Sequence, residues 1–416
     1  MVSDTNFDIA QFSAATPAEV GLTGIAIDGI ARDMQALVDE GRRAGIVSAV
    51  ACQGRVVHAQ ATGWRDIEAD LPMRGDTLFR LYSMTRAVTA VGLLTLVDEG
   101  RIALDDAVAD YLPEFRDTPV IVGIHDGQVR LVPQARPLSV HDLLTYTAGF
   151  GYPDSYPEEY GLTMGQVLPI GGTLATGIRR LAEAPLLAQP GAHWRYGFSG
   201  DVTGRLAEVV AGQPYDEFLR ERIFTPLKMH DTGFVVAEAR SDDLAQTYSP
   251  GPNDTLRNAT ARLPALNSYQ PGETLFSGGG GLVGTAGDYL TFCQMLLNGG
   301  EFDDVRILAN PSMADMCRNH LAADQGPLMR GVPGRGTEND MWAAHDGYGW
   351  GLGISVRLDE GEHQIPGGRG ECRWDGLANT TFFIDPEHDI AAVAMSQYLA
   401  LDGRELEMVL RRNLYG

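Results

Sequence analysis

Residues 81–115 read LYSMTRAVTAVGLLTLVDEGRIALDDAVADYLPEF, and the first half of this stretch predicts a helix over residues 83–99. Apolar residues recur in it with helical spacing: Val88, Val91, Leu94 and Leu96. Gly100 can end such a helix in a left-handed conformation. Ser83 then lies at the helix N-terminus, where free amides and the positive end of the helix dipole favour an oxyanion.

The flanking sequence predicts a sheet built from both ends of the chain. Residues 25–40 have the spacing of an amphipathic helix, and residues 47–61 alternate like two strands that meet at Gly54. Strand patterns return at residues 351–358, 380–384 and 390–397, before a final helix over 404–413. Residues 105–300 combine helical stretches with long Pro- and Gly-rich connections.

These patterns predict an α+β fold, in which an antiparallel sheet is flanked by helices from both chain termini and a large, mostly helical domain is inserted. The predicted sheet domain comprises residues 20–85 and 303–416, and the helical domain comprises residues 86–302. We expect the active site in the cleft between them.

The composition favours a small molecule as partner. A chain of 416 residues that is 44% hydrophobic can bury a large core. Its net charge of −23 argues against nucleic acid or an anionic membrane as partner. The N-terminal residues lack the basic start and apolar stretch of a secretory signal, and no later segment is apolar enough to span a bilayer, so we expect a cytoplasmic protein. The sequence carries no signal for an oligomeric state.

The cysteines and lysines restrict the chemistry further. Cys52, Cys293, Cys317 and Cys372 lack the spacing of a metal site, which predicts buried free thiols, no metal and no cofactor. Lys228 is the only lysine of the chain. Any mechanism that needs a neutral lysine therefore has one candidate.

Five segments, in this order along the chain, resemble the motifs of the serine beta-lactamase and penicillin-binding-protein family. They are residues 81–115, LLTYTAGF at 143–150, PGAHWRYGFSGDVTGRLAEVVAG at 190–212, SGGGGLVGTAGDYLTFCQMLLNGG at 277–300 and CRWDGLANTTFFIDPEHDIAAVAMSQ at 372–397. Within the family the resemblance is nearest to class C beta-lactamases and family VIII carboxylesterases. It implies the beta-lactamase fold and hydrolysis of an ester or amide through an acyl-enzyme on Ser83.

The first motif departs from the family in one residue. The family's Ser-x-x-Lys supplies a nucleophile and a lysine that helps to remove its proton, whereas Arg86 follows Ser83 here. A guanidinium is not deprotonated in proteins and cannot act as a general base. We interpret Arg86 as an electrostatic element. The alternative is that it reflects only the chain's avoidance of lysine.

By the same resemblance, Tyr196 occupies the tyrosine position of the second motif and is the candidate base. A nearby Arg86 would stabilise its phenolate, and the alternative is a core tyrosine. Gly197 replaces the serine that follows this tyrosine in the family, which removes a polar contact.

The third motif aligns with Trp374-Asp375-Gly376, which we predict to contact substrate. Its tryptophan favours the esterase side of the family, and the amide of Leu377 would pair with that of Ser83 as the oxyanion hole. Asp375 has no counterpart in the family patterns. It could receive a substrate ammonium group, shuttle protons or face solvent. Near the reacting centre it would repel carboxylates, so efficient beta-lactamase activity is not expected.

Other residues are weaker candidates. His193 and His345 could border the cleft, but a lone histidine is more often structural. Four aromatic residues could line an acyl pocket or pack as core: Trp194, Trp342, Tyr348 and Trp350. The glycines at 278–281 lack the context of a nucleotide site and indicate close backbone packing.

Three functions remain open at this level. The first is a serine hydrolase of a small or medium carboxylic ester, with amide hydrolysis or acyl transfer using the same residues. The second is a non-hydrolytic enzyme, such as a carbon–carbon lyase or an eliminase, that uses Arg86 and Tyr196. The third is a binding protein that kept the fold and lost catalysis.

Overall fold

In the computed structural model, strands from both ends of the chain form one sheet. The structure describes residues 7, 9, 11–125, 128–262, 269, 272, 274–322, 325, 347–358, 365–400 and 404–416. The strands of the sheet are β1 (Ser13–Ala14), β2 (Gly45–Cys52), β3 (Arg55–Asp66), β4 (Leu71–Pro72), β13 (Tyr348–Trp350), β14 (Ser355–Arg357), β15 (Cys372–Gly376), β16 (Thr380–Asp385) and β17 (Ile390–Met395). Among the described residues it has nine strands in the order β1-β3-β2-β17-β16-β15-β14-β13, with β4 on β3. The predicted α+β fold with a sheet built from both termini is confirmed.

The pairing of the central strands explains why their sequences are so apolar. Strands β2 and β17 pair antiparallel from Val47↔Met395 to Cys52↔Ile390, and every residue of both strands is buried. One face of the sheet packs on helices α1 (Gly24–Asp39) and α10 (Glu405–Tyr415), and the other face packs on α2 (Thr85–Asp98) and α8 (Ala286–Leu297). Strands covered on both faces need apolar residues at successive positions.

The helix predicted over residues 83–99 is confirmed, with a different beginning. A 3-10 turn spans Tyr82–Met84 and runs directly into α2. Helix α2 is buried along most of its length, which accounts for its lack of a polar face. It ends next to Gly100, whose φ of 66° is the left-handed conformation that glycine adopts without strain.

The segments between residues 99 and 347 carry most of the remaining elements. Among the described residues of this range, the α-helices besides α8 are α3 (Val140–Leu144), α4 (Met164–Val167), α5 (Leu174–Ala182), α6 (Ser199–Ala211), α7 (Tyr215–Leu219) and α9 (Asn310–Met316). Short strands also form two-stranded sheets: β5 (Phe79–Arg80) with β10 (Val283–Gly284), β6 (Val120–His125) with β7 (Gln128–Val132), β8 (Tyr248–Pro250) with β9 (Leu256–Asn258), and β11 (Glu301–Phe302) with β12 (Val305–Arg306).

The predicted division at residues 85/86 and 302/303 stays a prediction. Helix α8, within the range 86–302, packs against the sheet, and the rings of Tyr289 and Phe382 are 5.0 Å apart. Within the described part of the chain, no helix is long and apolar enough to cross a membrane. The predictions for Trp342 and His345 fall outside the described residues.

Candidate active site

Ser83 lies in the tight turn that precedes α2. The preceding residue, Tyr82, has a φ of 44°, a left-handed value that costs a non-glycine residue about 1–3 kcal/mol. The buried side chain of Tyr82 and the bond from the amide of Leu81 to the carbonyl of Leu282 (2.9 Å) hold the backbone there. Ser83 itself is only half-buried. The turn thus presents its hydroxyl at the end of a helix that is otherwise enclosed.

The end of β15 lies against this turn. Thr380 Oγ1 donates to the carbonyl of Leu81 at 3.3 Å, and a Cβ on Gly376 would come within 2.4 Å of the same oxygen. Glycine is required at 376 because only a residue without a side chain permits this approach. Leu377 follows immediately, with 46% of its surface exposed. The residues predicted for the oxyanion hole are therefore on adjacent segments.

Arg86, one turn after Ser83, is buried among hydroxyl and carbonyl oxygens. Its Nη1 donates to the Tyr146 hydroxyl at 2.7 Å and to the carbonyl of Gly197 at 3.1 Å. Its Nη2 donates to the Tyr152 hydroxyl at 2.6 Å. A planar guanidinium suits this arrangement because its donors diverge in a fixed fork.

The surroundings keep Arg86 positively charged. Burial by itself would lower its pKa, but the oxygens of three tyrosines and the carboxylate of Asp201 raise the pKa well above its ordinary value. Burial raises the pKa of Tyr146 and Tyr152 in spite of the nearby guanidinium, so both are neutral hydroxyls. Arg86 is therefore a fixed cation.

Asp201 is the buried carboxyl group behind Arg86. Burial raises its pKa, although Ser277, Arg86 and Gly279 act in the opposite direction. The Ser277 hydroxyl donates to Asp201 at 2.5 Å, and the Gly279 amide donates at 3.2 Å. The glycine-rich segment at 278–281 thus packs on α6, as its composition indicates.

Tyr196 lies beside Arg86, with the ring face rather than the hydroxyl toward the cation. The guanidinium carbon is 4.3 Å from the Tyr196 ring centroid, a cation–π distance. The Tyr196 hydroxyl accepts a hydrogen bond from Trp374 Nε1 at 3.3 Å. Because an indole N–H only donates, it stabilises negative charge on that oxygen. Arg86, Tyr196 and Trp374 are thus brought together next to the Ser83 turn.

The backbone explains why Gly197 replaces the family's serine. A Cβ at this position would lie 2.6 Å from the Cα of Gly151 and 2.7 Å from the carbonyl oxygen of Phe150. The space that a serine side chain would fill is occupied by the segment that leads to Tyr152. The Gly197 carbonyl instead accepts a bond from Arg86.

Asp375 points away from Tyr196. Successive side chains of a strand face opposite sides, so Arg373 and Asp375 lie on the sheet face opposite to Trp374. The Asp375 carboxylate forms an ion pair with Arg373 and accepts a hydrogen bond from Thr381 Oγ1 at 2.8 Å. Its charge is balanced by Arg373, which removes the physical basis for repulsion of substrate carboxylates.

Sequence reasoning did not single out the partners of Arg86. Tyr146 stands where the resembling LLTHTSG segment of the family has histidine, and this difference is a signal that was available. Nothing local marks Tyr152 or Asp201, because their contacts depend on packing between distant segments. Trp194 and Trp350 are buried in an aromatic cluster with Tyr146 and Tyr196, Tyr348 donates to Glu371, and His193 is exposed.

The family model Beta-lactamase matches residues 30–413, so the chain belongs to the beta-lactamase family. Esterase EstB of Burkholderia gladioli is 31% identical over 96% of this chain and 99% of its own. Lovastatin esterase of Penicillium rubens is 29% identical over 92% of this chain and 96% of its own.

A solved structure is also similar to this chain, in both fold and sequence. EstCE1, a hydrolase with promiscuous acyltransferase activity, superposes with a TM-score of 0.77 at 29% identity, over 94% of this chain and 98% of its own. The protein is therefore a beta-lactamase-fold enzyme of the carboxylesterase-like serine hydrolase type.

Proposed function

We propose that the protein hydrolyses a small or medium carboxylic ester through an acyl-enzyme on Ser83, with Tyr196 as the base and Arg86 as a permanent positive charge. The observation that carries the proposal is the position of Tyr196. Arg86 lies over its ring and Trp374 donates to its oxygen. The cation over the ring and the hydrogen-bond donor on the oxygen both stabilise negative charge on Tyr196, which is the charge that this group must carry when it acts as a base.

The role of Arg86 differs from that of the family's lysine. An arginine that stays charged cannot exchange protons with Ser83. It can lower the energy of negative charge on Tyr196 and on the reacting oxygen, and in a buried site such a charge acts strongly. The bonds from Arg86 to Tyr146 and Tyr152 keep the guanidinium in one orientation.

In the acylation step, the Ser83 oxygen attacks the ester carbonyl carbon while its proton passes to the Tyr196 oxygen. The carbonyl oxygen becomes an oxyanion, for which the amides of Ser83 and Leu377 are the proposed donors. The tetrahedral adduct then collapses, the bond to the alcohol oxygen breaks, and the alcohol leaves with the proton from Tyr196. The products are an alcohol and an ester of Ser83.

In the deacylation step, water replaces the alcohol. The water oxygen attacks the carbonyl carbon of the Ser83 ester while Tyr196 accepts a proton from the water. Tyr196 then returns that proton to the Ser83 oxygen as the bond between the acyl carbon and this oxygen breaks. The carboxylic acid is released and the enzyme is restored. The balance is one ester and one water converted into one acid and one alcohol.

Transfer of the acyl group to an alcohol is the second candidate. EstCE1 is described as a hydrolase with promiscuous acyltransferase activity, and an alcohol can attack the same Ser83 ester in place of water. The net charge of −23 supports neutral or cationic small molecules over nucleic acid as partners.

The test is a time-resolved mass spectrum of the intact protein with p-nitrophenyl acetate and p-nitrophenyl butyrate, for wild type and Ser83→Ala. We expect a transient adduct of one acyl group on wild type and none on Ser83→Ala. A wild type that releases p-nitrophenol slowly and without any adduct would overturn the proposal. Addition of an aliphatic alcohol, followed by analysis for the new ester, separates hydrolysis from transfer.

A further inference from the structure

Beneath β15, on the face away from Tyr196, a set of buried charges joins this strand to the C-terminal helix α10. The side chains of Glu371, Arg373, Glu407 and Arg411 have no exposed surface. Charges in such a position are stable only when they are paired and hydrogen-bonded. Their arrangement is therefore specific rather than incidental.

The pairing is closely spaced. Arg411 donates to both carboxylate oxygens of Glu371 at 2.6 Å and to Glu407 at 2.6 Å. Glu407 uses its other oxygen to accept from Arg373 Nη2 at 2.6 Å. Arg373 thereby connects α10 to the middle of β15.

The guanidinium of Arg373 also contacts a residue near the end of β15. Arg373 Nη2 also pairs with Asp375, and Asp375 accepts from Thr381 of β16. Asp375 immediately precedes Gly376, whose Cα faces the Leu81 carbonyl without room for a Cβ. The position of the Leu377 amide relative to Ser83 therefore depends on where Asp375 is held.

We propose that Arg373 and Asp375 are positioning residues, which hold the Gly376–Leu377 end of β15 against the Ser83 turn so that the Leu377 amide is directed at the oxyanion. This inference rests on the proposed function for its catalytic consequence. It assigns the unusual Asp375 of the third motif to the architecture of the oxyanion hole rather than to contact with substrate. A displacement of this amide weakens oxyanion stabilisation without removing any group that touches substrate.

The test compares Asp375→Ala with Glu387→Gln. The second variant is the control, because it removes the exposed ion pair between Arg369 and Glu387, which lies in the turn between β16 and β17. Two quantities are measured: the kcat and KM for p-nitrophenyl butyrate, and hydrogen–deuterium exchange of the peptide that contains residues 374–380. For Asp375→Ala we expect kcat to fall at least about tenfold with KM changed less than about twofold. We also expect faster exchange in this peptide, with the peptides of α2 unchanged. The control should match wild type in both measurements.

Two further variants keep the inference testable. Asp375→Asn retains the acceptor for Thr381 and should recover part of the lost kcat. Thr381→Val is nearly isosteric, removes only one bond to Asp375, and replaces Asp375→Ala should that variant not fold.

The hydrogen–deuterium exchange measurement distinguishes failure of this inference from failure of the proposed function. Faster exchange at 374–380, in a protein whose wild type forms no acyl adduct, leaves the positioning role standing and overturns the proposed function. Unchanged exchange and unchanged kcat in Asp375→Ala, with a wild-type adduct, overturn the positioning role alone.

Discussion

The guanidinium carbon of Arg86 lies 4.3 Å from the ring centroid of Tyr196, while the hydrogen bonds of that guanidinium go to other residues. Arg86 therefore acts on Tyr196 through its charge and not as a proton partner. In the family motif the lysine can exchange protons with the nucleophile, and this arrangement excludes that route. The proton of Ser83 must then leave through another group, and Tyr196 is the group that we propose.

Removal of the charge at residue 86 should impair both catalysis and stability. For Arg86→Gln we expect kcat/KM for p-nitrophenyl butyrate to fall about 100-fold, because stabilisation of the phenolate and the oxyanion is lost. The hydroxyls of Tyr146 and Tyr152 lose a charged donor, which should cost roughly 1.5–3 kcal/mol of folding free energy. Steady-state kinetics and urea unfolding measure the two effects. Arg32→Gln, on the exposed face of α1, is the control, and an Arg86→Gln enzyme with wild-type kcat/KM would contradict the assigned role.

Tyrosine-to-phenylalanine variants, each of which removes one hydroxyl oxygen, distinguish the proposed base Tyr196 from the neighbouring tyrosines. Tyr196→Phe keeps the ring under Arg86 and should lower kcat by about 100-fold or more, the range for loss of a general base, with little change in Tm. Tyr146→Phe and Tyr152→Phe remove acceptors of Arg86, and we expect them to lower Tm more than kcat. The measurements are the rate of acyl-adduct formation and thermal unfolding. Equal losses of kcat in all three variants would argue that no single tyrosine is the base.

Restoration of the family's serine at residue 197 should lower both the stability and the activity of the protein. A side chain in Gly197→Ser would collide with the backbone of Gly151, and overpacking of this kind costs about 1–3 kcal/mol. We expect a lower Tm and lower activity in consequence. Gly165→Ser, where nothing lies within 4 Å of an added Cβ, is the matched control. A Gly197→Ser protein as stable as the control would contradict this prediction, because the backbone segments at Gly197 and Gly151 would then move apart at little cost.

The folded protein should become less stable as the pH falls, because His58 is buried. Burial lowers the pKa of His58 to about 4 from an ordinary value of 6.5, and its Nε2 lies 2.8 Å from Ser48 Oγ. Between these pH values the unfolded chain binds a proton that the folded protein excludes, so stability is complete above pH 6.5 and falls as the pH drops toward 4. The loss approaches roughly 3 kcal/mol.

Urea unfolding at pH 7.5, 6, 5 and 4.5 measures this effect. Wild type should lose more stability than His58→Gln over the same interval, whereas His193→Gln, at an exposed position, should follow wild type. Parallel curves for wild type and His58→Gln would contradict the assignment to His58.

Beta-lactam hydrolysis should be slow compared with ester hydrolysis. In the resembling beta-lactamases the third motif is Lys-Thr-Gly or His-x-Gly, and a lysine usually attracts the substrate carboxylate. Here the motif begins with Trp374, and Lys228 is ion-paired with Asp303 on the surface. Loss of a charge-assisted bond to that carboxylate predicts kcat/KM for nitrocefin about 100-fold below that for p-nitrophenyl butyrate. Nitrocefin turnover at the ester rate, abolished in Ser83→Ala, would contradict this expectation.

The sequence alone determined the class of fold and the segments that carry the site. Helix spacing and strand alternation are local signals, so α1, α2, β16 and β17 were predictable to within a few residues. The order of five motifs predicted Ser83, Tyr196 and Trp374 as members of one site, and the side-chain chemistry of arginine excluded Arg86 as a base before any distance was known.

Only the tertiary structure decided what these residues contact. Whether Asp375 faces the reacting centre depends on the register of β15 against β16 and on its ion pair with Arg373, which Glu407 of α10 holds in place. No local sequence pattern encodes the contact between α10 and β15. Gly197 in place of serine was visible in the sequence, but its reason lies in the backbone of Gly151. Contacts between residues that are far apart in the chain are set by the packing of whole elements, which is why composition and spacing cannot report them.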